Sequence, residues 1–177
     1  MKKNKITTEQ IVIMGFMIAL TVVLSKLLSI NISFLRIGFG FLPVAIMAIL
    51  YGPLWAGVGY AIADVIGAML FPTGAYFPGF TLSAFLTGVI FGLVLYRKEV
   101  TWARAFVASA LVCILINLLL NTYWLTFFLG KAFTVLLASR AVKELVAIPV
   151  MMLLIVALDR SAIKAYRNKS TTASINS

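Results

Sequence analysis

Six apolar stretches, each broken by charge, proline or glycine, make up most of this chain, and nothing else in it constrains the fold as tightly. In hydrocarbon a backbone must satisfy its own hydrogen bonds, and a helix of about 20 apolar residues does so while crossing the bilayer. Hydropathy, with Pro, Gly and charge as punctuation, predicts helices over Thr8–Ile30, Arg36–Tyr51, Pro53–Phe71, Gly79–Arg97, Thr101–Tyr123 and Phe133–Asp159. The second is the shortest, is glycine-rich at its start (Gly38, Gly40) and is expected to be tilted or irregular; the Tyr51-Gly52-Pro53 turn joins it to the third. The first run follows Lys2, Lys3 and Lys5 as a signal peptide would, but it is too long for a secretory h-region.

Composition agrees: 63% of the 177 residues are hydrophobic and 11% charged, too little polar surface to clothe a soluble globule of this size. The expected fold class is an all-α membrane protein, one six-helix domain over residues 1–167 followed by a disordered polar tail, 168–177. Net charge +10 raises the question of nucleic acid, yet the basic residues flank the apolar runs and no basic stripe interleaves with aromatics, so no nucleic-acid partner is expected. The distribution of charge sets the orientation instead. Lys2, Lys3, Lys5, Arg97, Lys98, Arg104, Arg160, Lys164, Arg167 and Lys169 fall on one side, which is read as cytoplasmic with both termini. Lys26, Arg36, Lys131, Arg140 and Lys143 belong to the spans or the other side.

The outer connections are then Asn31–Leu35, Pro72–Pro78 and Trp124–Ala132; in and around them Phe34, Tyr76, Phe77, Trp124, Phe127 and Phe128 suit an interfacial belt or a ligand lid. Small residues form further patterns. Gly15 and Ala19 lie four apart on the first helix, the third carries Ala56, Gly57, Gly59, Ala61, Ala63, Gly67 and Ala68, and the fourth Gly88 and Gly92. In lipid such faces allow close helix approach, either within the bundle or against a second protein.

Charges at membrane depth cost about 2.5–3.5 kcal/mol on insertion scales, so each needs a partner or a task. Asp64, between Tyr60-Ala-Ile-Ala and Val-Ile-Gly-Ala, must face the interior and meet a cation, donor groups or a ligand. Arg140, Lys143 and Glu144 share one helical face; Arg140–Glu144 is the natural internal pair, which leaves Lys143 for a ligand, while snorkelling to the surface is the plain alternative for both cations. Asn117, Asn121 and Trp124 follow at i, i+4 and i+7, a stripe that could equally be interhelical glue. Together these groups predict an outward cavity of positive potential with an embedded carboxylate, suited to a flat heterocycle with an anionic tail.

Absences narrow the function. The chain has no phosphate-binding loop, since Gly130-Lys131 lacks the upstream glycine and the hydroxyl, so it is not expected to hydrolyse ATP. It has no His, one Cys and no Gly-x-Ser-x-Gly elbow, so no metal, cofactor or enzyme activity is expected; a membrane enzyme using Asp64 and Lys143 is the remote alternative. No inverted repeat supports a self-contained secondary transporter.

Phe34-Leu-Arg-Ile-Gly-Phe-Gly-Phe-Leu-Pro-Val-Ala, Tyr51-Gly-Pro-Leu-Trp-Ala-Gly, Ala63-Asp-Val-Ile-Gly and Gly74-Ala-Tyr-Phe-Pro-Gly-Phe-Thr-Leu-Ser-Ala-Phe-Leu-Thr-Gly resemble the S components of energy-coupling factor (ECF) transporters, most closely the folate-specific type. The resemblance runs from the first helix to Arg140–Pro149. It implies a vitamin-binding subunit in the cell membrane that captures folate outside, topples, and releases it inside when ATP acts on a coupling protein and two ATPase subunits. A pantothenate- or thiamine-like vitamin is the alternative cargo. The ligand is implied in the outer half, under Asn31–Arg36 and Phe71–Gly79, with Arg36, Asp64, Tyr76, Phe77, Asn121, Trp124, Arg140 and Lys143 as candidate contacts. Gly15 and Ala19 are implied as the contact with the coupling protein, Gly15 standing where the family usually has alanine.

Overall fold

The computed structural model describes residues 8–26, 30–32, 35–72, 76–129 and 133–160; the polar tail, Lys131 and the first seven residues lie outside them. The order is α1 (Thr8–Lys26), β1 (Ile30–Ile32), β2 (Leu35–Ile37), α2 (Phe41–Tyr51), α3 (Pro53–Leu70), α4 (Pro78–Leu95), α5 (Trp102–Leu111), a π-helical segment (Val112–Leu120), α6 (Asn121–Leu129) and α7 (Phe133–Leu158). Alpha-5, the π-helical segment and α6 run on as one rod, so the chain crosses six times and the start of α1 and the end of α7 share a face. Five spans among the described residues are long and apolar enough to cross a membrane; α2 is the short sixth. Side chains such as Ile11, Phe16, Leu54, Met69, Leu93 and Leu145 are exposed on the outside of the bundle, where lipid is the solvent.

Two expectations need correcting. The Asn31–Leu35 connection, with Ile30 and Arg36–Ile37 read as helix on either side, contains a small antiparallel hairpin, in which Ile30 pairs with Ile37, Asn31 with Arg36 and Ile32 with Leu35. Ile-Asn-Ile and Leu-Arg-Ile alternate apolar and polar residues, a period-two pattern that favours strands over helix. The helix proper begins only at Phe41, and 11 residues reach about 16 Å, half a bilayer. The stretch expected to leave the helix at Trp124 stays helical to Leu129.

Helix α2 can be short because it is wrapped by protein. Phe41, Val44, Ala45, Met47, Ala48 and Ile49 are all buried, and they pack with Phe91 and Leu95 of α4, Ala105 and Ala108 of α5, and Met151 and Ile155 of α7. The α2–α3 corner depends on Gly52, whose φ of 91° lies in the left-handed region and at which a Cβ would stand 3.3 Å from the Tyr96 ring. Pro53 then opens α3 at a position where its absent N–H costs nothing.

The small residues of α3 and α4 serve the bundle itself. A side chain at Gly88 would strike the Ala56 carbonyl, and one at Gly92 would strike Pro53. Ala56, Gly57, Gly59, Ala63 and Gly67 are buried, and the two helices lie against each other along their length. Gly15 differs: it is exposed with Ala19, and a Cβ there would meet nothing within 4 Å.

Candidate functional site

Most polar side chains of the spans gather in the half of the bundle that holds the hairpin. A cavity of about 250 Å³ opens there between α1, α2, α3, α4, the π-helical segment, α6 and α7, floored by Val112, Ala147 and Met151. Its polar wall comes from two directions. Asn117 and Asn121 project from the fifth span, and Arg140, Lys143 and Glu144 from α7. Tyr60, Thr87 and Ser25 add hydroxyls from α3, α4 and α1.

These groups are partly bonded to one another. Asn121 Nδ2 donates to Asn117 Oδ1 at 3.4 Å, and Asn117 Nδ2 donates to Glu144 Oε2 at 3.3 Å. Glu144 is 2% exposed, and its other oxygen lies 3.9 Å from Lys143 Nζ. The ion pair is therefore Lys143–Glu144, not the Arg140–Glu144 pair expected from i, i+4 spacing. A long lysine stem can fold back toward its neighbour, and Asn117 supplies the carboxylate with a second donor. Arg140 Nη1, Glu144 Oε1 and Asn121 Oδ1 are buried with no hydrogen-bond partner among the described residues. Such groups are expensive unless something bonds to them part of the time.

The fifth span divides its polar residues between two neighbours, and Asn117 lies in its π-helical segment. The segment's wider i→i+5 turns are enriched at functional sites and alter which faces of a helix line up. Asn117 reaches α7, while Trp124, expected to continue the same stripe, donates through Nε1 to Ser83 Oγ of α4 at 3.2 Å.

Asn121, Arg140 and Lys143 are the sequence-predicted contacts that the cavity brings together. Trp124 and Phe77 form a neighbouring aromatic group with ring centroids 5.5 Å apart, and Gly79 leaves room for both. Asp64 does not line the cavity. It accepts from Thr81 Oγ1 at 2.8 Å, and with that hydroxyl proton committed, Tyr76 donates to Thr81 Oγ1, also at 2.8 Å. The half-buried carboxylate has thus met a donor, and the Tyr76–Thr81–Asp64 chain pins the segment before α4 onto α3. The side chain of Arg36 lies outside the described residues; its backbone stands in β2. Sequence reasoning passed over Tyr60, Thr87 and Ser25, and saw Glu144 only as an ion-pair partner. Tyr60 could have been found from its position one turn before Asp64.

A six-span helical bundle holding a polar, mostly buried chamber in one half defines a membrane-embedded subunit that binds a small polar molecule. The comparisons with known proteins agree and narrow this. The family described as "ECF transporter, substrate-specific component" matches residues 9–158. A relative named Folate transporter FolT, from Clostridium novyi (strain NT), is 49% identical over 137 residues, covering 77% of this chain and 80% of its own. Another of the same name, from Leuconostoc mesenteroides subsp. mesenteroides, is 35% identical over 152 residues, covering 82% of each. A solved structure described as "Crystal structure of FolT bound with folic acid" superposes with a TM-score of 0.80 at 40% identity, over 86% of this chain and 93% of that one. The chain belongs to the ECF transporter substrate-specific component family, and it is a multi-pass membrane protein.

Proposed function

We propose that this protein is the folate-binding subunit of an ECF-type transporter. The observation that carries the reading is the convergence of Arg140, Lys143, Glu144, Asn117 and Asn121 on one cavity, in a fold shared with a relative described as bound to folic acid. Folate is a flat heterocycle bearing N–H donors and an anionic glutamate tail. Acceptors in the cavity suit the first, the two cations suit the second, and Phe77 and Trp124 offer stacking surface nearby. Arg36, whose backbone stands in β2, remains a candidate contact from the sequence.

With no phosphate loop of its own, the chain depends on partners for energy. A transmembrane coupling protein and two ATPase subunits would fill that role, as the family implies. The exposed Gly15–Ala19 face of α1 is the surface proposed to meet the coupling protein, since none of the described residues packs on Gly15. The test is direct: purified protein, without nucleotide or partners, should bind folate with submicromolar affinity. Pantothenate and thiamine should not compete, and tighter binding of either would reassign the cargo.

A further inference from the structure

Glu144 is the costliest residue in the cavity, a carboxylate 2% exposed at membrane depth. Its Oε2 is held by Asn117 at 3.3 Å, while Oε1 has the Lys143 ammonium at 3.9 Å and no hydrogen bond among the described residues. The Cys113 thiol is also close enough to interact with Glu144, but it is a weak donor and it points to Met151 Sδ at 3.5 Å. Asn121 presents a second unused acceptor: its Nδ2 is spent on Asn117, so Oδ1 must be the free end of that amide, and it is buried and lines the same cavity. Two acceptors facing one space call for a ligand edge with two adjacent donors.

Resting on the folate reading above, we propose that Glu144 and Asn121 form a donor-selecting subsite, which reads the edge of the heterocycle where a ring N–H and an exocyclic amino group stand side by side. Glu144 Oε1 accepts from that edge. Asn117 holds the carboxylate from behind and is a positioning residue. At about 250 Å³ the cavity stands below the usual range of about 300–1,000 Å³ for whole-ligand pockets. The ring system therefore goes in, and the benzoyl-glutamate tail stays toward the mouth. This moves the acceptor role from Asp64, whose Oδ2 is occupied by Thr81 outside the cavity lining, to a residue 80 positions later.

The assignment is tested by a cycle between protein and ligand, with purified protein in detergent and two probes, folate and its 2-desamino analogue. The wild-type chain should bind the analogue on the order of 10–100-fold more weakly than folate, the loss expected when a hydrogen bond to a charged group goes unmade. Glu144→Gln should weaken folate by a similar factor and discriminate little between the two probes. Equal wild-type affinity for both probes overturns the subsite whether or not the variant folds. A Glu144→Gln protein that weakens both equally and keeps the wild-type preference also overturns it, since Glu144 would then act only on packing. If the wild-type chain binds neither probe, the folate reading itself fails, and the subsite with it.

Discussion

Asn117 donates to Glu144 across 3.3 Å and so ties the π-helical segment of the fifth span to α7 at the level of the cavity. Both residues sit within apolar runs that would otherwise slide freely past each other in lipid. Interhelical polar bonds in membranes contribute on average about 0.6 kcal/mol and up to about 2 kcal/mol. Asn117→Leu should therefore lower stability within that range and leave Glu144 with one donor fewer. Denaturant titration of the purified protein measures the first effect, and weaker folate binding in the same preparation reports the second.

Glycine substitutions on different helices should behave in opposite ways. Gly92→Val drives methyl groups into Pro53, and Gly88→Val drives them into the Ala56 carbonyl, so each should cost about 1–3 kcal/mol or more through overpacking. Gly15→Val meets nothing among the described residues. It should extract, melt and bind folate like the parent, yet lose uptake when expressed with its energising partners. Normal uptake by the Gly15 variant would move the docking surface elsewhere on the molecule.

The three tryptophans are placed to report on binding. Trp124 lies one turn from Asn121, beside the cavity, while Trp55 and Trp102 stand near the opposite end of the bundle. Folate should quench intrinsic fluorescence, and Trp124→Phe should abolish most of that change while Trp55→Phe and Trp102→Phe retain it. Quenching that survives in the Trp124 variant would place the ligand away from the hairpin half.

Arg140 should give binding a salt dependence that Asp64 does not. Arg140→Gln is expected to weaken folate by roughly 10–100-fold, because a guanidinium–carboxylate bond is lost. Raising salt toward 1 M, where the screening length falls to about 3 Å, should weaken the parent more than the variant. Asp64→Asn keeps an acceptor for Thr81, so its folate affinity should stay within about threefold of the parent. A large loss in that variant would return Asp64 to the ligand site.

Much of the candidate site was readable as a set of suspects and little of it as an arrangement. Arg140, Lys143 and Asn121 stood out because charge and amide are costly in lipid, and they do share one cavity. Asp64 stood out for the same reason, yet Thr81, 17 residues later, satisfies it. Trp124 followed the amides at helical spacing, but its indole N–H is taken by Ser83 of α4. Thr87 raised no alarm, since a threonine hydroxyl in a helix can bond its own backbone, as Thr87 does to the Ser83 carbonyl at 2.8 Å.

The sequence alone determined the membrane as solvent, six crossings, the side on which the termini lie by charge, and the transporter family. The first three follow from the preference of single residues or short runs for lipid or water, which needs no knowledge of neighbours, and the family from the resemblance of several linked motifs. Only the tertiary structure decided that Glu144 pairs with Lys143 and Asn117, that Gly88 and Gly92 serve α3 and that Gly15 meets none of the described residues. Those are properties of pairs of helices, set by rotation and depth. Lipid tails are as apolar as the side chains facing them, so hydropathy cannot rank one rotation above another, and close packing and polar contacts must.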